Sequence, residues 1–194
     1  MKFRIDLKVS SKQEWVDAVM QDFDSFLQDH ADCERKASGM ALSLVAKYPN
    51  RTEIIPELID TSVEELEHFR DVYEIMQKRG LQLNHSIPKD VYIQQLMGLC
   101  RDGREERFID RLLLASLVET RGAERFKLVY EALADEELKQ FYHRLWASEA
   151  RHGEVFVRMA LNYFNEEPVY SRLEEMKEQE AEIIDKLEIK AALH

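Results

Sequence analysis

The chain has 194 residues and a formal net charge of −11, and 45% of its residues are hydrophobic while 34% are charged. The length fits one domain better than two, and the apolar content excludes an intrinsically disordered chain. Only 6 Gly and 4 Pro are present, so we expect long helices rather than a β-sandwich or barrel, which needs a turn about every 8–12 residues.

Membrane proteins and disulfide-rich secreted proteins are also disfavoured. No apolar run approaches the roughly 20 residues of a membrane span, so we expect no membrane contact. Cys33 and Cys100 form neither a CxxC pair nor a secreted-type disulfide framework. We therefore expect a soluble, cytoplasmic protein.

The first helical pattern begins at Ser11-x-x-Glu14, which has the form of a capping box. It predicts helix across residues 12–47, before Tyr48-Pro49, and leaves open whether this is one helix or two. A second helix is predicted from Thr52, with Pro56 tolerated in its first turns, to Gly80, a residue type that commonly follows a helix C-terminus.

After a longer connection with one short predicted helix, Lys89–Cys100, the helical pattern resumes. Asp102-x-x-Glu105 is predicted to cap a third long helix, and a break at Ala134-Asp135 leads to a fourth. Pro168 and the box Ser171-x-x-Glu174 are predicted to start a final, charged helix.

These elements predict an all-α fold. Short links join helices one and two, and helices three and four, so each pair should be antiparallel, and the passage from Leu81 to Asp102 lets the second pair cross over. Four long helices with one long crossover are typical of the ferritin-like four-helix bundle. We predict one domain over residues 1–194, with the bundle at about 12–164 and an acidic C-terminal helix at about 168–191.

Each long helix has an acidic residue at one level of its apolar face. Two of these acids belong to Glu-x-x-His pairs, whose side chains project from one face of a helix because they are three residues apart. The glutamates of the two halves are separated by 31 and 30 residues, which indicates a duplicated helical hairpin. The six residues are Glu34, Glu65, His68, Glu119, Glu149 and His152.

Any one of the six residues would also fit a surface acid or an ordinary core histidine. Burial of all six in the core of the bundle would be unfavourable, because each uncompensated buried carboxylate costs several kcal/mol. Two divalent cations would balance four carboxylates, and two neutral imidazoles would complete the ligand set. Oxygen-rich ligands with one nitrogen per metal and open positions suit iron or manganese, whereas zinc favours a closed tetrahedral site. We predict a dimetal site around a shared centre.

Such a site occurs in iron-storing, peroxide-destroying and hydroxylating proteins, so the ligands alone do not define the substrate. The residues leave open an enzyme, an iron-oxidising or iron-binding protein of ferritin type without an organic substrate, and a metal-free helical adaptor.

Further motifs resemble one family in particular, over roughly Trp15 to Tyr163. The chain is similar to the tRNA-(2-methylthio-isopentenyladenosine) hydroxylases, which are bacterial ferritin-like non-haem di-iron monooxygenases. The motifs are Asp29-His30-Ala31-Asp32-Cys33-Glu34-Arg35-Lys36-Ala37, Glu64-Glu65-Leu66-Glu67-His68-Phe69, Met76-x-x-Arg79-Gly80, Glu119-x-Arg121-x-x-Glu124-Arg125-Phe126 and Ala147-Ser148-Glu149-Ala150-Arg151-His152.

The resemblance implies O₂-dependent hydroxylation of the isopentenyl group of a hypermodified adenosine in tRNA. It implies two iron ions per chain, with manganese a weaker expectation, held by the six residues, and a di-iron centre that itself performs the catalysis. O₂ is then a co-substrate, and electrons come from an external donor of reductase or ferredoxin type.

A tRNA substrate needs a basic rim, although the chain as a whole is acidic. Residues 35–52 contain no acid and hold the predicted RNA-binding side chains Arg35, Lys36, Lys47 and Arg51. A second basic set is interleaved with acids, so we interpret it as an ion-paired face. Its members are Arg101, Arg104, Arg107 and Arg111.

Residues close to the predicted ligands in sequence carry three further expectations. Asp29, His30 and Tyr142 are expected to hydrogen-bond to the site. Cys33 is expected to be a small buried residue rather than a ligand. Gly122 follows Glu119 by one turn, and it fits either a close contact between helices or open room for O₂ or the substrate methyl group.

Overall fold

The computed structural model describes residues 5–85 and 90–194. Within these two ranges the regular secondary structure is helical, and they contain no β-strand. None of their helices has the length and apolarity that crossing a membrane requires. The α-helices are α1 (Gln13–Gln21), α2 (Phe23–Lys47), α3 (Ile55–Lys78), α4 (Val91–Gly98), α5 (Arg104–Ala132), α6 (Glu136–Leu161) and α7 (Glu166–Lys186), and a 3₁₀ turn (Thr52–Ile54) precedes α3.

The first helical pattern forms two helices, separated at Asp22. The Asp22 carboxylate accepts a hydrogen bond from the Ser25 N–H at 3.2 Å and so caps α2. The predicted capping box at Ser11 is wrong, because the N–H and hydroxyl of Ser11 donate instead to the Glu124 carboxylate at 2.8 and 2.7 Å.

The predicted course of the second helix is confirmed. Pro56 lies in the first turn of α3, where a missing N–H costs no helical hydrogen bond. Gly80 has a φ of +72°, the left-handed conformation that glycine adopts without steric cost. The Gly80 N–H donates to the Gln77 carbonyl at 3.0 Å and the Leu81 N–H donates to the Met76 carbonyl at 2.9 Å, so the helix ends in a Schellman motif.

Aspartates cap two further helices. The predicted short helix is α4, which Asp90 caps by accepting from the Ile93 N–H at 2.9 Å; Lys89, its predicted first residue, lies outside the described residues. The predicted break before the fourth long helix is confirmed, because Asp135 caps α6 by accepting from the Leu138 N–H at 2.9 Å.

Two other predicted capping boxes are wrong. Helix α5 begins after Gly103 rather than Asp102, because the Asp102 carboxylate accepts a hydrogen bond from Arg107 at 3.1 Å. Helix α7 begins directly after Asn165, five residues before Ser171. Pro168 fits in its first turn because the backbone N–H that proline lacks has no partner within the helix there. The helix ends at Lys186, short of the predicted residue 191.

One compact unit of the chain comprises described residues 18–85 and 190–193, and we call it the α2–α3 unit. In it α2 packs against α3, and contacts such as Asp24 with Arg79 and Ser38 with Ser62 make the two helices antiparallel. Its fully buried apolar residues include Phe26, Leu27, Leu44, Leu58, Val72 and Met76.

The second compact unit comprises described residues 5–17, 90–189 and 194, and we call it the α5–α6 unit. Helix α5 packs against α6, and α4 and α7 pack against α5 and against each other. Its fully buried residues include Leu96, Phe108, Leu112, Phe126, Phe156 and Met176.

The charged helix α7 is attached to α5 by buried ion pairs. Arg121 of α5 is fully buried and donates through Nε and Nη2 to the two carboxylate oxygens of Glu180, at 2.9 and 3.0 Å. The Tyr92 hydroxyl donates to the same carboxylate at 3.0 Å. Two parallel hydrogen bonds from Arg121 and a third from Tyr92 compensate the buried charge of the Glu180 carboxylate, so α7 is part of the folded core of this unit.

A second ion-pair group holds the other end of α7. Asp110 of α5 accepts hydrogen bonds from Arg172 of α7 at 3.0 Å and from Arg101 at 2.8 Å. Burial acts to raise the pKa of Asp110, but the hydrogen bonds from Arg101 and Arg172 outweigh it and keep that pKa below its ordinary value.

We predict that Glu180→Gln lowers the free energy of unfolding by about 3 kcal/mol, because the buried Arg121 guanidinium loses its bidentate partner and keeps only its pair with the Glu124 carboxylate at 3.2 Å. Urea unfolding of the full chain measures this. The control is Glu182→Gln, since Glu182 pairs with Lys186 while its side chain is 75% exposed, and exposed pairs contribute little. Equal effects of the two substitutions would contradict the role assigned to Glu180.

Candidate metal centre

The α2–α3 unit brings together three of the six predicted ligands. Glu34 of α2 is 4% exposed and Glu65 of α3 is 1% exposed. His68 Nδ1 lies 3.7 Å from Glu34 Oε2 and 3.6 Å from Glu65 Oε2. One ligand atom from each of the three lies within 4.8 Å of the others, so this unit presents a compact Glu–Glu–His triad.

His30 lies one turn before Glu34 in α2 and orients the Glu34 carboxylate. The fully buried His30 ring places Nε2 2.6 Å from Glu34 Oε1, so an N–H at this nitrogen donates to the carboxylate. The Phe26 ring packs against His30 with a centroid distance of 5.8 Å. The expectation that His30 hydrogen-bonds to the site is confirmed for its contact with Glu34, and this leaves Glu34 Oε2 on the side of His68.

A pair of buried serines joins α2 to α3 within one turn of the two glutamates. The Ser38 hydroxyl donates to the Ser62 carbonyl at 2.8 Å, and the Ser62 hydroxyl lies 3.0 Å from the Ser38 carbonyl. Because Ser38 follows Glu34 by four residues and Ser62 precedes Glu65 by three, the pair fixes the distance between the helices beside the triad.

The α5–α6 unit brings together the other three predicted ligands. Glu119 of α5 is 6% exposed, and Glu149 and His152 of α6 are each 2% exposed. His152 Nδ1 lies 3.1 Å from Glu149 Oε2, and one ligand atom from each of the three residues lies within 4.8 Å of the others. The unit therefore presents a second Glu–Glu–His triad.

A close approach of α5 and α6 accompanies this second triad. The Ser116 hydroxyl donates to the Gly153 carbonyl at 2.7 Å, and the Thr120 hydroxyl donates to the Ser116 carbonyl at 2.7 Å. A Cβ at Gly153 would lie 2.6 Å from Thr120 Oγ1, so any other residue here would displace the Thr120 hydroxyl from its hydrogen bond or push the two helices apart. Ser116 precedes Glu119 by three residues and Gly153 follows Glu149 by four, the reverse of the offsets of Ser38 and Ser62, so this contact lies on the opposite side of its triad along the hairpin.

Sequence reasoning missed four small residues at these helix contacts, namely Ser38, Ser62, Ser116 and Gly153. Their offsets from the glutamates are +4 and −3 in the first hairpin but −3 and +4 in the second. The duplicated ligand pattern therefore gave no signal for them, and the contacts are visible only in the structure.

Gly122 does not make the close helix contact considered for it. It is buried, yet a Cβ placed there would meet no atom of a neighbouring helix within 4 Å in the part of the chain that the structure describes. Open space therefore lies beside α5 one turn after Glu119, as the other interpretation expected.

Asp29 does not have the role expected for it. Its carboxylate accepts from the Leu193 N–H at 2.7 Å and lies 3.7 Å from Cys33 Sγ. Cys33 is partly exposed rather than buried. Tyr142 is fully buried and packs against the Phe126 ring at 5.7 Å; its expected hydrogen bond to the site stays a prediction.

The predicted RNA-binding residues do not form one cluster. Arg35 and Lys36 lie on α2 beside Glu34, whereas Lys47 lies at the end of the same helix, twelve residues or about 18 Å farther along its axis. Arg51 precedes the 3₁₀ turn. Arg35 Nη2 pairs with Asp32 Oδ1 at 2.5 Å, which reduces its availability to phosphate.

The interpretation of the second basic set as an ion-paired face is confirmed for two members. Arg101 pairs with Asp110 at 2.8 Å, and Arg107 pairs with Asp102 at 3.1 Å. These arginines neutralise acids of their own unit.

The donor chemistry of each triad fits a divalent metal ion. Two buried carboxylates and one imidazole offer oxygen and nitrogen ligands, and two ionised glutamates carry −2, which one divalent cation balances. Iron and manganese both suit such ligands.

Comparison with known proteins agrees with this chemistry. The family model described as tRNA-(MS2IO6A)-hydroxylase (MiaE) matches residues 2–194. The tRNA 2-(methylsulfanyl)-N(6)-isopentenyladenosine(37) hydroxylase of Pseudomonas putida is 35% identical over 170 residues, which cover 88% of this chain and 82% of that protein. The protein of the same name from Salmonella typhimurium is 26% identical, over 84% of this chain and 77% of its own length.

A solved structure extends the likeness to the fold. Protein 43 with aldehyde deformylating oxygenase activity from Synechococcus matches with a TM-score of 0.91 and 30% identity, over 97% of this chain and 94% of that chain. Its ferritin-like fold confirms the prediction of an all-α, ferritin-like bundle with a C-terminal helix. Since the family model spans nearly every residue, the chain belongs to the tRNA-(MS2IO6A)-hydroxylase (MiaE) family.

Proposed function

We propose that this protein is an O₂-dependent di-iron monooxygenase that hydroxylates the isopentenyl group of 2-methylthio-isopentenyladenosine at position 37 of tRNA. The observation that supports this most directly is the presence of two buried Glu–Glu–His triads in a chain of the MiaE family. The relatives named above are hydroxylases of this nucleoside.

The metal ligands in this proposal are the six residues of the two triads. Together they hold two iron ions per chain, with the four carboxylates balancing two divalent cations. The ligands are Glu34, Glu65 and His68 from the α2–α3 unit and Glu119, Glu149 and His152 from the α5–α6 unit.

The bound iron pair supplies the redox chemistry, namely reduction of O₂ and oxidation of a substrate C–H bond. In the overall reaction one oxygen atom enters a methyl C–H bond and the other leaves as water. This balance needs two electrons and two protons, so we propose an external donor of reductase or ferredoxin type.

The polypeptide's own contribution is positioning and exclusion of water. His30 fixes the orientation of Glu34 by its 2.6 Å contact, and the serine pair of Ser38 and Ser62 holds α2 and α3 at a fixed separation. The space beside Gly122 is the room that we assign to O₂ or to the reacting methyl group.

A tRNA substrate places the enzyme in the cytoplasm, and it requires cations on the protein surface. Lys36, Lys47 and Arg51 remain proposed phosphate contacts, and Arg35 joins them only by exchanging its pairing with Asp32. The alternative of a ferritin-like iron-oxidising protein without an organic substrate is not favoured, because both named relatives act on a tRNA nucleoside.

We predict that the iron-reconstituted protein, given a chemical or enzymatic reductant and ¹⁸O₂, adds one ¹⁸O atom to tRNA carrying 2-methylthio-isopentenyladenosine. Nucleoside mass spectrometry measures the product. Glu65→Gln should lower the rate by about 100-fold or more, because even outer partners of metal ligands contribute about 10–100-fold.

The matched control is Glu67→Gln on the same helix, at an exposed position, and it should keep the wild-type rate. Iron oxidation with no modified nucleoside under conditions in which tRNA binds would instead support the iron-handling alternative.

We predict opposite effects of Gly122→Ala on stability and on activity. Replacing glycine inside a helix should raise the free energy of unfolding by up to about 1 kcal/mol, since the new methyl group meets open space. The same methyl group occupies room needed in the reaction, so hydroxylation should slow while the iron content stays unchanged.

Gly39→Ala is the control for Gly122→Ala. Gly39 lies inside α2, is exposed, and also has open space at its Cβ position. It should gain stability and keep full activity. Full activity of Gly122→Ala would show that the space beside Gly122 has no part in the reaction.

A further inference from the structure

Three aromatic rings form a cluster on the surface of the α5–α6 unit, where α5 ends and α6 begins. They are Tyr130 of α5 and His143 and Trp146 of α6. The ring centroids lie 5.2 Å apart for Tyr130–His143, 6.3 Å for Tyr130–Trp146 and 5.6 Å for His143–Trp146. His143 is exposed and the other two are half-buried; we call them the aromatic cluster.

Two lysines place their charges over rings of the aromatic cluster. Lys139 Nζ lies 5.5 Å from the centroid of Tyr130, and Lys127 Nζ lies 5.6 Å from that of Trp146. Lys127 also lies 3.7 Å from a carboxylate oxygen of Glu131. Positive charge and aromatic faces are therefore held together at the same place.

A cavity of about 570 Å³ opens beside this cluster, a size within the range of about 300–1,000 Å³ typical of ligand sites. It combines two ring faces, two cations, a carboxylate and an amide. Its lining residues are Tyr130, Glu136, Lys139, Gln140, His143 and Arg144.

These groups match the three parts of an unpaired nucleotide. Aromatic faces stack on bases, cations pair with phosphate, and carboxylate and amide groups hydrogen-bond to base edges. A protein with a net charge of −11 can bind a polyanion only at a locally positive surface, and here Lys139 and Arg144 outnumber Glu136. By contrast, Arg101 and Arg107 pair with acids of their own unit.

We infer that this cavity binds an unpaired nucleotide of the tRNA substrate beside the base that is hydroxylated. The inference rests on the proposed function. His143 precedes the proposed ligand Glu149 by six residues of α6, about 9 Å along the helix axis. Six residues also turn the helix by about 240°, so the cavity lies on a different face of α6 from Glu149, and the RNA has to pass around this helix to reach both places.

The test uses the full-length, iron-loaded protein and a synthetic anticodon stem–loop that carries 2-methylthio-isopentenyladenosine. The chain has 2 Trp, so Trp15→Phe leaves Trp146 as the only tryptophan. Its ring contacts both Tyr130 and His143, and we expect its fluorescence to change saturably as RNA is added. His143→Ala and Tyr130→Leu should each weaken RNA affinity by about five- to a hundred-fold, as loss of a base-stacking ring does.

The charge of the cavity has a separate readout. Lys139→Gln and Arg144→Gln should each reduce the slope of log affinity against log salt by about 0.7–0.9. The matched controls lie on α7, where Lys186→Gln removes one exposed charge and Tyr170→Leu removes one ring, and they should leave the affinity unchanged. Thermal melting confirms folding of each variant, and the exposed His143→Ala tests the cavity if Tyr130→Leu fails to fold.

The remaining outcomes distinguish failure of this inference from failure of the proposed function. RNA binding and hydroxylation by the wild type, with unchanged affinity in the variants and unchanged Trp146 emission, would overturn this inference and leave the proposed function intact. If adenosine monophosphate changes the Trp146 fluorescence at the same concentration as the stem–loop, the cavity binds a free nucleotide rather than RNA, and this inference is wrong. Absence of both RNA binding at low salt and hydroxylation would overturn the proposed function itself.

Discussion

Burial of acidic side chains inside two helical hairpins is the constraint on which the rest of this protein depends. In each hairpin two glutamates and a histidine occupy positions that would otherwise be apolar, and the glutamates are at most 6% exposed. Two ionised carboxylates at that depth are unfavourable without a cation. The features around them, the His30 contact with Glu34 and the small residues Ser38, Ser62 and Gly153, hold the carboxylates in place for such a cation.

The long helices followed from the sequence because apolar spacing, Gly80, Asp135 and the scarcity of turn residues all indicate the same elements. Helix starts were less predictable, because capping depends on competing partners. Ser11 and Asp102 fit a capping pattern, yet distant or later side chains, Glu124 and Arg107, take up their hydrogen-bonding groups. The packing of α7 against α5 was also not predictable, because it depends on the buried ion pair of Arg121 with Glu180. Charged residues such as these are ordinarily expected to face solvent.

The candidate site was predictable at the level of ligand triads, because the Glu and Glu-x-x-His repeat is a local helical pattern with a physical reason. Each unit brings its three predicted residues together. The surroundings were less accessible to sequence reasoning. The sequence does not distinguish Gly122 from Gly153. In the structure a Cβ at Gly122 meets open space, whereas a Cβ at Gly153 would lie 2.6 Å from the Thr120 hydroxyl. The aromatic cluster was missed because His143 and Trp146 of α6 meet Tyr130 of α5 only when the two helices pack together.

The iron content of the protein, measured after anaerobic reconstitution and removal of loosely bound metal, tests directly whether the two triads form a metal centre. If the two triads hold the metal, the wild type retains two iron ions per chain, and the double variant Glu65→Gln with Glu149→Gln loses them because it lacks one carboxylate of each triad. A wild-type chain that retains no iron, or a double variant that retains as much iron as the wild type, would contradict the assignment of the two triads as the metal centre.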